Sequence, residues 1–145
     1  MNTRPALKLT WEGANKILQA AVRKADAMGI PMSIAIMDDG VQLLGFARTD
    51  EGKIHNIPIA LAKARAAASN RRPTGKVGTM GNPLDDFSAL IIPLAAGPEH
   101  YVTMSGGLPI LVEGQCLGGV GVSGGRGEQD VEVAQAGLDA LAHGS

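Results

Sequence analysis

His55 stands just ahead of a helix expected from Ile57 to Ser69, at the boundary with the turn Thr49-Asp50-Glu51-Gly52. An imidazole in that place can ligate the metal of a cofactor, bind a free metal ion, or act as a general base. The plainer alternative is a solvated histidine at a helix start. No HExxH, HxH or paired-carboxylate spacing accompanies it, so no self-contained metal site is expected. Tyr101 follows His100, and a phenol beside an imidazole can bind or protonate a polar substrate. Otherwise the ring packs and His100 faces water. Glu128, Gln129 and Asp130 fall at the expected N-terminus of the last helix, where the helix dipole stabilises carboxylates. They serve as caps there, unless Glu128 or Asp130 is aimed into a pocket as a base or ligand-binding group. Arg71, Arg72 and Lys76 make one loop cationic, and a cationic loop can hold a carboxylate by charge-assisted hydrogen bonds. Lys63 and Arg65, two apart on a helix, cannot share a face, so one of them is a candidate to point inward.

The glycines are concentrated in Ser105–Asp130, SGGLPILVEGQCLGGVGVSGGRGEQD. Leu108–Val112 and Cys116–Val122 are short apolar runs joined by Glu113-Gly114, the composition of a hairpin turn. Gly106, Gly107, Gly124 and Gly125 are candidate pocket walls, and the second cluster can offer backbone N–H groups to an anion or simply turn the chain. Neither dinucleotide-binding spacing nor the lysine-serine pair of a phosphate loop is present. Cys116, inside an expected strand, reads as a packing residue.

These residues need a scaffold, and the rest of the chain supplies one. A length of 145 residues suits one domain, here 1–145, with one core. Thirteen basic against fourteen acidic residues give no basic footprint for nucleic acid. No stretch reaches the ~20 apolar residues that cross a bilayer, and the N-terminus has no apolar run of the signal-peptide kind. A single cysteine excludes an intramolecular disulfide, and a cytoplasmic location is expected.

Thr10 caps an amphipathic helix with apolar residues from Ala14 to Ala25, ended near Met28 by Gly29 and Pro31. Met32–Met37 and Val41–Arg48 form strands around Asp38-Asp39-Gly40. Asn56 can cap the next helix, whose run ALAKARAAA has the small side chains that allow close approach to a sheet. Asn70–Asn82 is a loop, Asn82-Pro83 opens a short helical turn through Leu90, and Pro93 and Gly97-Pro98 break regularity. Tyr101–Met104 is the next strand, and a helix from about Gln129 to Ala142 follows the glycine hairpin. The order predicts an α/β domain of the α+β type, an antiparallel sheet covered by helices.

The segments MSIAIMDDGVQLLGFARTD, IALAKARAAA, RRPT, SGGLPILVEGQCLGGVGVSGG and EQD, in that order, resemble the GlcG/HbpS-like (haem-degrading) family, which includes the C-terminal domain of PduO-type proteins. The resemblance implies a profilin-like domain with a five-stranded antiparallel sheet flanked by helices. It also implies homo-oligomers with ligand pockets between subunits, and haem or a corrinoid-related ligand as cofactor in some members. Histidines near the start of the second helix ligate haem in some relatives, and His55 falls there. Pro58 and Ala62 stand where the family often has acidic residues, and EHYVTM before Ser105 departs from its usual pattern.

Two functions therefore compete. One is a small-ligand-binding oligomer holding haem or another tetrapyrrole, with His55 as axial ligand and Lys63, Arg72, Gly106, Gly107, Gly124 and Gly125 around the ligand. The other is a cofactor-free hydrolase, isomerase or lyase acting on a small organic acid in catabolism. There Arg72 would bind the carboxylate, and His55, Tyr101, Glu128 and Asp130 would move protons.

Overall fold

The computed structural model describes residues 1–143. Helix α1 spans Trp11–Met28. Thr10 Oγ1 accepts the Gly13 N–H at 3.0 Å, and Gly29 closes the helix in the left-handed conformation, its N–H reaching Ala25 and Asp26 carbonyls. Both ends follow from local chemistry, since the first N–H groups and the last carbonyls of a helix lack partners of their own. Thr10→Ala is expected to cost about 1 kcal/mol in urea denaturation.

Strands β1 (Ser33–Asp38) and β2 (Leu43–Arg48) pair antiparallel. Asp38 ties their turn, its Oδ1 accepting the N–H groups of Gly40 and Gln42. Helix α2 spans Asn56–Asn70 and α3 spans Asp86–Ala96. Strands β3 (Gly107–Val112) and β4 (Gln115–Ser123) form the glycine-rich hairpin, and α4 runs from Gly127 to His143. Glu113 and Gly114, both with positive φ, make the tight turn that suits strand twist.

The sheet has the order β2-β1-β4-β3, antiparallel throughout. Among the described residues it holds four strands, not five. The missing strand is Tyr101–Met104, whose hydrogen bonds go elsewhere. The Tyr101 N–H reaches the Gly97 carbonyl, and Thr103 Oγ1 donates to the Ala89 carbonyl at 2.7 Å.

That last bond also explains why α3 differs from expectation. Pro93 lies inside the helix and has no N–H to offer Ala89 four residues earlier. The Thr103 hydroxyl takes the vacated acceptor, and the helix continues through the proline. Its cap is Asp85, accepting the Ser88 N–H at 2.7 Å, not Asn82. Asn56 is likewise not a cap. It is the first residue of α2, buried, with Oδ1 accepting from Ser123 Oγ at 2.7 Å.

Helices α1 and α4 cover one face of the sheet around Ile17, Ile34, Ile36, Ile110, Val120 and Val122. Helix α2 covers the other, against Ala35 and Met37. Its alanines meet the glycines of β4 so closely that a Cβ on Gly119 would lie 2.3 Å from the Ala64 carbonyl oxygen. One on Gly121 would lie 2.1 Å from that of Ala60. No described helix is long and apolar enough to cross a membrane.

Candidate functional site

A groove of about 970 Å³ lies beside β3. Its walls include Leu7 and Leu9 ahead of α1, Leu108 and Ile110 on β3, and Leu138 and Leu141 on α4. The segment before α1 is held across by two contacts. Gln115 Oε1 accepts the Leu7 N–H at 2.9 Å, and Lys8 Nζ pairs with the Asp39 carboxylate at 2.8 Å. Lys8's hydrogen bond and charge hold the Asp39 carboxyl below its usual range.

Arg71 and Arg72 line the same groove, with Lys8 and Asp139 as its other charged groups. Arg71 takes the left-handed conformation that ends α2, which swings the chain from the helix towards β3. Arg72 Nε donates to the Thr79 carbonyl at 3.0 Å. The Thr74 N–H donates to the Gly107 carbonyl, and the Gly107 N–H to Thr74 Oγ1 at 2.8 Å. The loop that carries both arginines is thereby pinned to the start of β3.

A second cluster lies inside the protein. Lys63, 3% exposed, sets its Nζ 3.0 Å from Asp130 Oδ2 and 2.8 Å from the Val122 carbonyl oxygen. Asp130, 2% exposed, accepts the Gly125 N–H on its other oxygen at 2.9 Å. Burial pushes the Asp130 carboxyl above its ordinary value, against the charge and hydrogen bond of Lys63 and the Gly125 N–H, which pull it down. Gly106 is required here, because a Cβ would lie 2.6 Å from both Lys63 Nζ and the Val122 carbonyl oxygen. Gly107 packs against the Lys63 carbonyl, Gly124 against that of Pro31, and Gly125 against the Gln129 side chain. This ion pair faces no solvent and joins α2, β4 and the start of α4.

The remaining candidates sit on separate elements. His55 is exposed at the N-cap of α2, makes no capping bond, and does not line the groove. Tyr101 is half-buried in the segment after α3. Glu128 is exposed and pairs with Arg126 at 2.9 Å. Its own backbone N–H and then Arg126 hold its carboxyl below the usual range. Among the described residues no hydrogen bond joins any two of His55, Tyr101, Glu128 and Asp130, and no three metal-ligating side chains form a group. Of the residues singled out in the sequence, Arg72 lies on the groove, while Lys63 and Asp130 meet in the interior with Gly106 and Gly107 buried against Lys63; Gly125 is half-buried at the turn that Asp130 holds, and Gly124 is exposed. The groove walls at Leu7, Leu9, Leu138 and Leu141 were not singled out. Leu138 and Leu141 do lie on the apolar face of the last helix, and their spacing carries no sign of a groove.

The comparisons with known proteins agree with this architecture. Residues 9–139 match the family described as haem degrading protein HbpS-like. Protein GlcG of Escherichia coli (strain K12) is 36% identical over 116 residues, which are 79% of this chain and 81% of GlcG. The crystal structure of a double mutant of Streptomyces reticuli HbpS superposes with a TM-score of 0.81 at 30% identity, covering 97% of this chain and 92% of that one. The crystal structure of a PduOC:heme complex superposes with a TM-score of 0.80, covering 92% and 95%. At 24% identity, that likeness shows the fold alone. Family match, sequence identity and fold converge, and the chain belongs to the HbpS-like family.

Proposed function

We propose that this protein binds haem or another tetrapyrrole, with the ring in the groove beside β3 and its acidic side chains on Arg71 and Arg72. The observation that carries the reading is the groove itself, about 970 Å³ with leucine and isoleucine walls and two arginines among its lining. Ligand pockets of 300–1,000 Å³ are mostly apolar with a few placed polar groups. A tetrapyrrole has the matching shape and charge, a flat apolar body with carboxylates on one edge. Arginine is suited to those carboxylates because its planar fork meets both oxygens. The haem complex of PduOC, which shares the fold, supports the same ligand class.

The donor set divides the work. Among the described residues the groove is lined by no histidine, cysteine, methionine or tyrosine, so it holds the ring and the carboxylates but offers the iron no side-chain ligand of those types. His55, exposed at the start of α2, is the imidazole proposed for that role. Since it lies outside the groove of its own chain, it would reach a bound haem from a neighbouring molecule. The chemistry haem supplies when bound is that of its iron.

Titrating haem into the purified protein and following the Soret band tests the reading. A saturable spectral change is expected, with the affinity lowered about tenfold by Arg71→Ala combined with Arg72→Ala, the size of one charge-assisted contact. An unchanged free-haem spectrum with the wild-type protein would overturn haem binding. Loss on His55→Ala with no effect of the arginine pair would move the ring away from the groove to the start of α2.

A further inference from the structure

One wall of the groove belongs to no helix or strand. Residues 1–10 form neither, and Leu7, Lys8, Leu9 and Thr10 from that segment line the groove. Leu9 packs beside Leu141 of α4, since a Cβ on Gly13 would lie 2.9 Å from Leu9 Cδ1 and 3.5 Å from Leu141 Cδ1. Leu7 and Lys8 are exposed and Leu9 is half-buried, so burial holds this wall only weakly. Its other attachments are the Leu7 N–H on Gln115 Oε1 and Lys8 Nζ on both Asp39 oxygens, at 2.8 and 2.9 Å. Both attachments are exposed, and an exposed ion pair contributes little and is screened by salt.

We infer that residues 1–9 are a strap, hinged at Thr10, whose release from Asp39 and Gln115 opens the groove to its ligand. Thr10 is the fixed end, because its hydroxyl and its carbonyl both accept N–H groups of α1, those of Gly13 and Ala14. The post that Lys8 grips is built to stay in place. Asp39 sits in the β1–β2 turn, where Val41 has φ 57°, in the left-handed region that a β-branched residue rarely enters. Such strain persists only where the surroundings over-determine it. Asp38 does so here. Its Oδ1 accepts the N–H groups of Gly40 and Gln42, its carbonyl accepts that of Val41, and its own N–H donates to the Gln42 carbonyl. The turn is therefore the rigid partner and the strap the one that moves.

Opening in this way breaks one exposed ion pair and one hydrogen bond and lifts a half-buried leucine, while the rest of the groove keeps its shape. The loop that carries Arg71 and Arg72 stays pinned to β3 through Thr74 and Gly107. Of the charged residues that line the groove, Lys8 alone rides on the strap. The inference holds whichever ligand the groove takes.

The test places a thiol beside the strap. Leu141→Cys in a Cys116→Ser background is labelled with N-ethylmaleimide in the full-length, ligand-free chain at low ionic strength, and the labelling rate is followed by mass. Adding Asp39→Asn is expected to quicken labelling about two- to fivefold, the range of one exposed ion pair, and adding Gln115→Ala as well about tenfold. Salt should quicken the parent protein and leave the Asp39→Asn protein unchanged. The reversed pair, Lys8→Glu with Asp39→Lys, is expected to restore the slow labelling that either change alone abolishes, a rescue that general loosening of the fold does not give. If Leu141→Cys disturbs the core, trypsin cleavage after Lys8 in the otherwise unaltered chain reads the same opening and should respond to Asp39→Asn in the same way. Haem association and release should both quicken with Asp39→Asn. Opening that ignores Asp39→Asn and salt, a reversed pair without rescue, or haem rates that stay the same while labelling changes would each overturn the inference. A labelling response in a protein that gives no Soret change would instead count against haem alone and leave the strap supported.

Discussion

Gly121→Ala is expected to cost about 3 kcal/mol or more, enough to lower the yield of folded protein sharply against a typical total stability of ~5–15 kcal/mol. The reason is geometric. A Cβ on Gly121 would sit 2.1 Å from the Ala60 carbonyl oxygen and 2.4 Å from the Ala64 backbone nitrogen. Both obstacles are helix backbone, so no side chain can rotate away. Either α2 lifts off the sheet, losing the packing of Ala60 and Ala64 on Ala35 and Met37, or β4 bends away from β1 and β3, which it pairs on both sides. The useful control is Gly114→Ala in the β3–β4 turn, where nothing lies within 4 Å of the added carbon and only the positive φ is strained. It is expected to cost about 1 kcal/mol. Urea denaturation of the two variants against wild type decides the matter. Near-equal midpoints would mean that α2 does not approach β4 as closely as described.

The same contact shows what could be read from the sequence. An alanine-rich helix and a strand with glycines at alternate positions are both local patterns, and together they announce a close helix–sheet approach. Thr10, Gly29, the Asp38–Gly40 turn and the Glu113-Gly114 turn are legible for the same reason, since each depends on residues a few positions apart. What was not legible depends on distant partners. Pro93 reads as a break, and only Thr103, arriving from beyond the helix, satisfies the carbonyl the proline leaves open. Tyr101–Met104 has strand composition, but its bonding groups are taken by α3 and the turn after it, which leaves four strands where five were expected. In the site, the cationic loop was visible and Arg72 does line the groove. The opposite walls come from residues 7–9 and 138–141, which no spacing rule connects to it. Lys63 was open to an inward reading because Arg65 cannot share its face, yet its partner lies 67 residues away.

That partner sets the other large effect. Lys63→Met leaves the Asp130 carboxylate buried with only the Gly125 N–H as donor, and breaking a buried pair from one side costs about 3–5 kcal/mol. Asp130→Leu, which strands the ammonium, is expected to cost a similar amount. The double variant Lys63→Met with Asp130→Leu removes both charges and should cost much less than the two added together, because the penalty of each single change is the unpaired charge left behind. Additive costs would show that the two groups do not depend on each other. Acidity separates the single variants further. Burial already raises the folded Asp130 carboxyl above its ordinary value, so its contribution favours the folded state below the unfolded value and is lost as pH rises through the folded one. Removing Lys63 takes away the charge and hydrogen bond that pull this carboxyl down. The folded value then rises further, and the cost of Lys63→Met should shrink as the pH of the denaturation series is lowered from about 7 towards 5. Asp130→Leu has no carboxyl to protonate there and should show no such recovery. Because the pair touches the Val122 carbonyl and the Gly125 turn but not the groove, the double variant, once folded, is expected to give the same haem titration as the wild type under the proposed groove binding. A folded double variant with no Soret response would place Lys63 or Asp130 against the ligand after all.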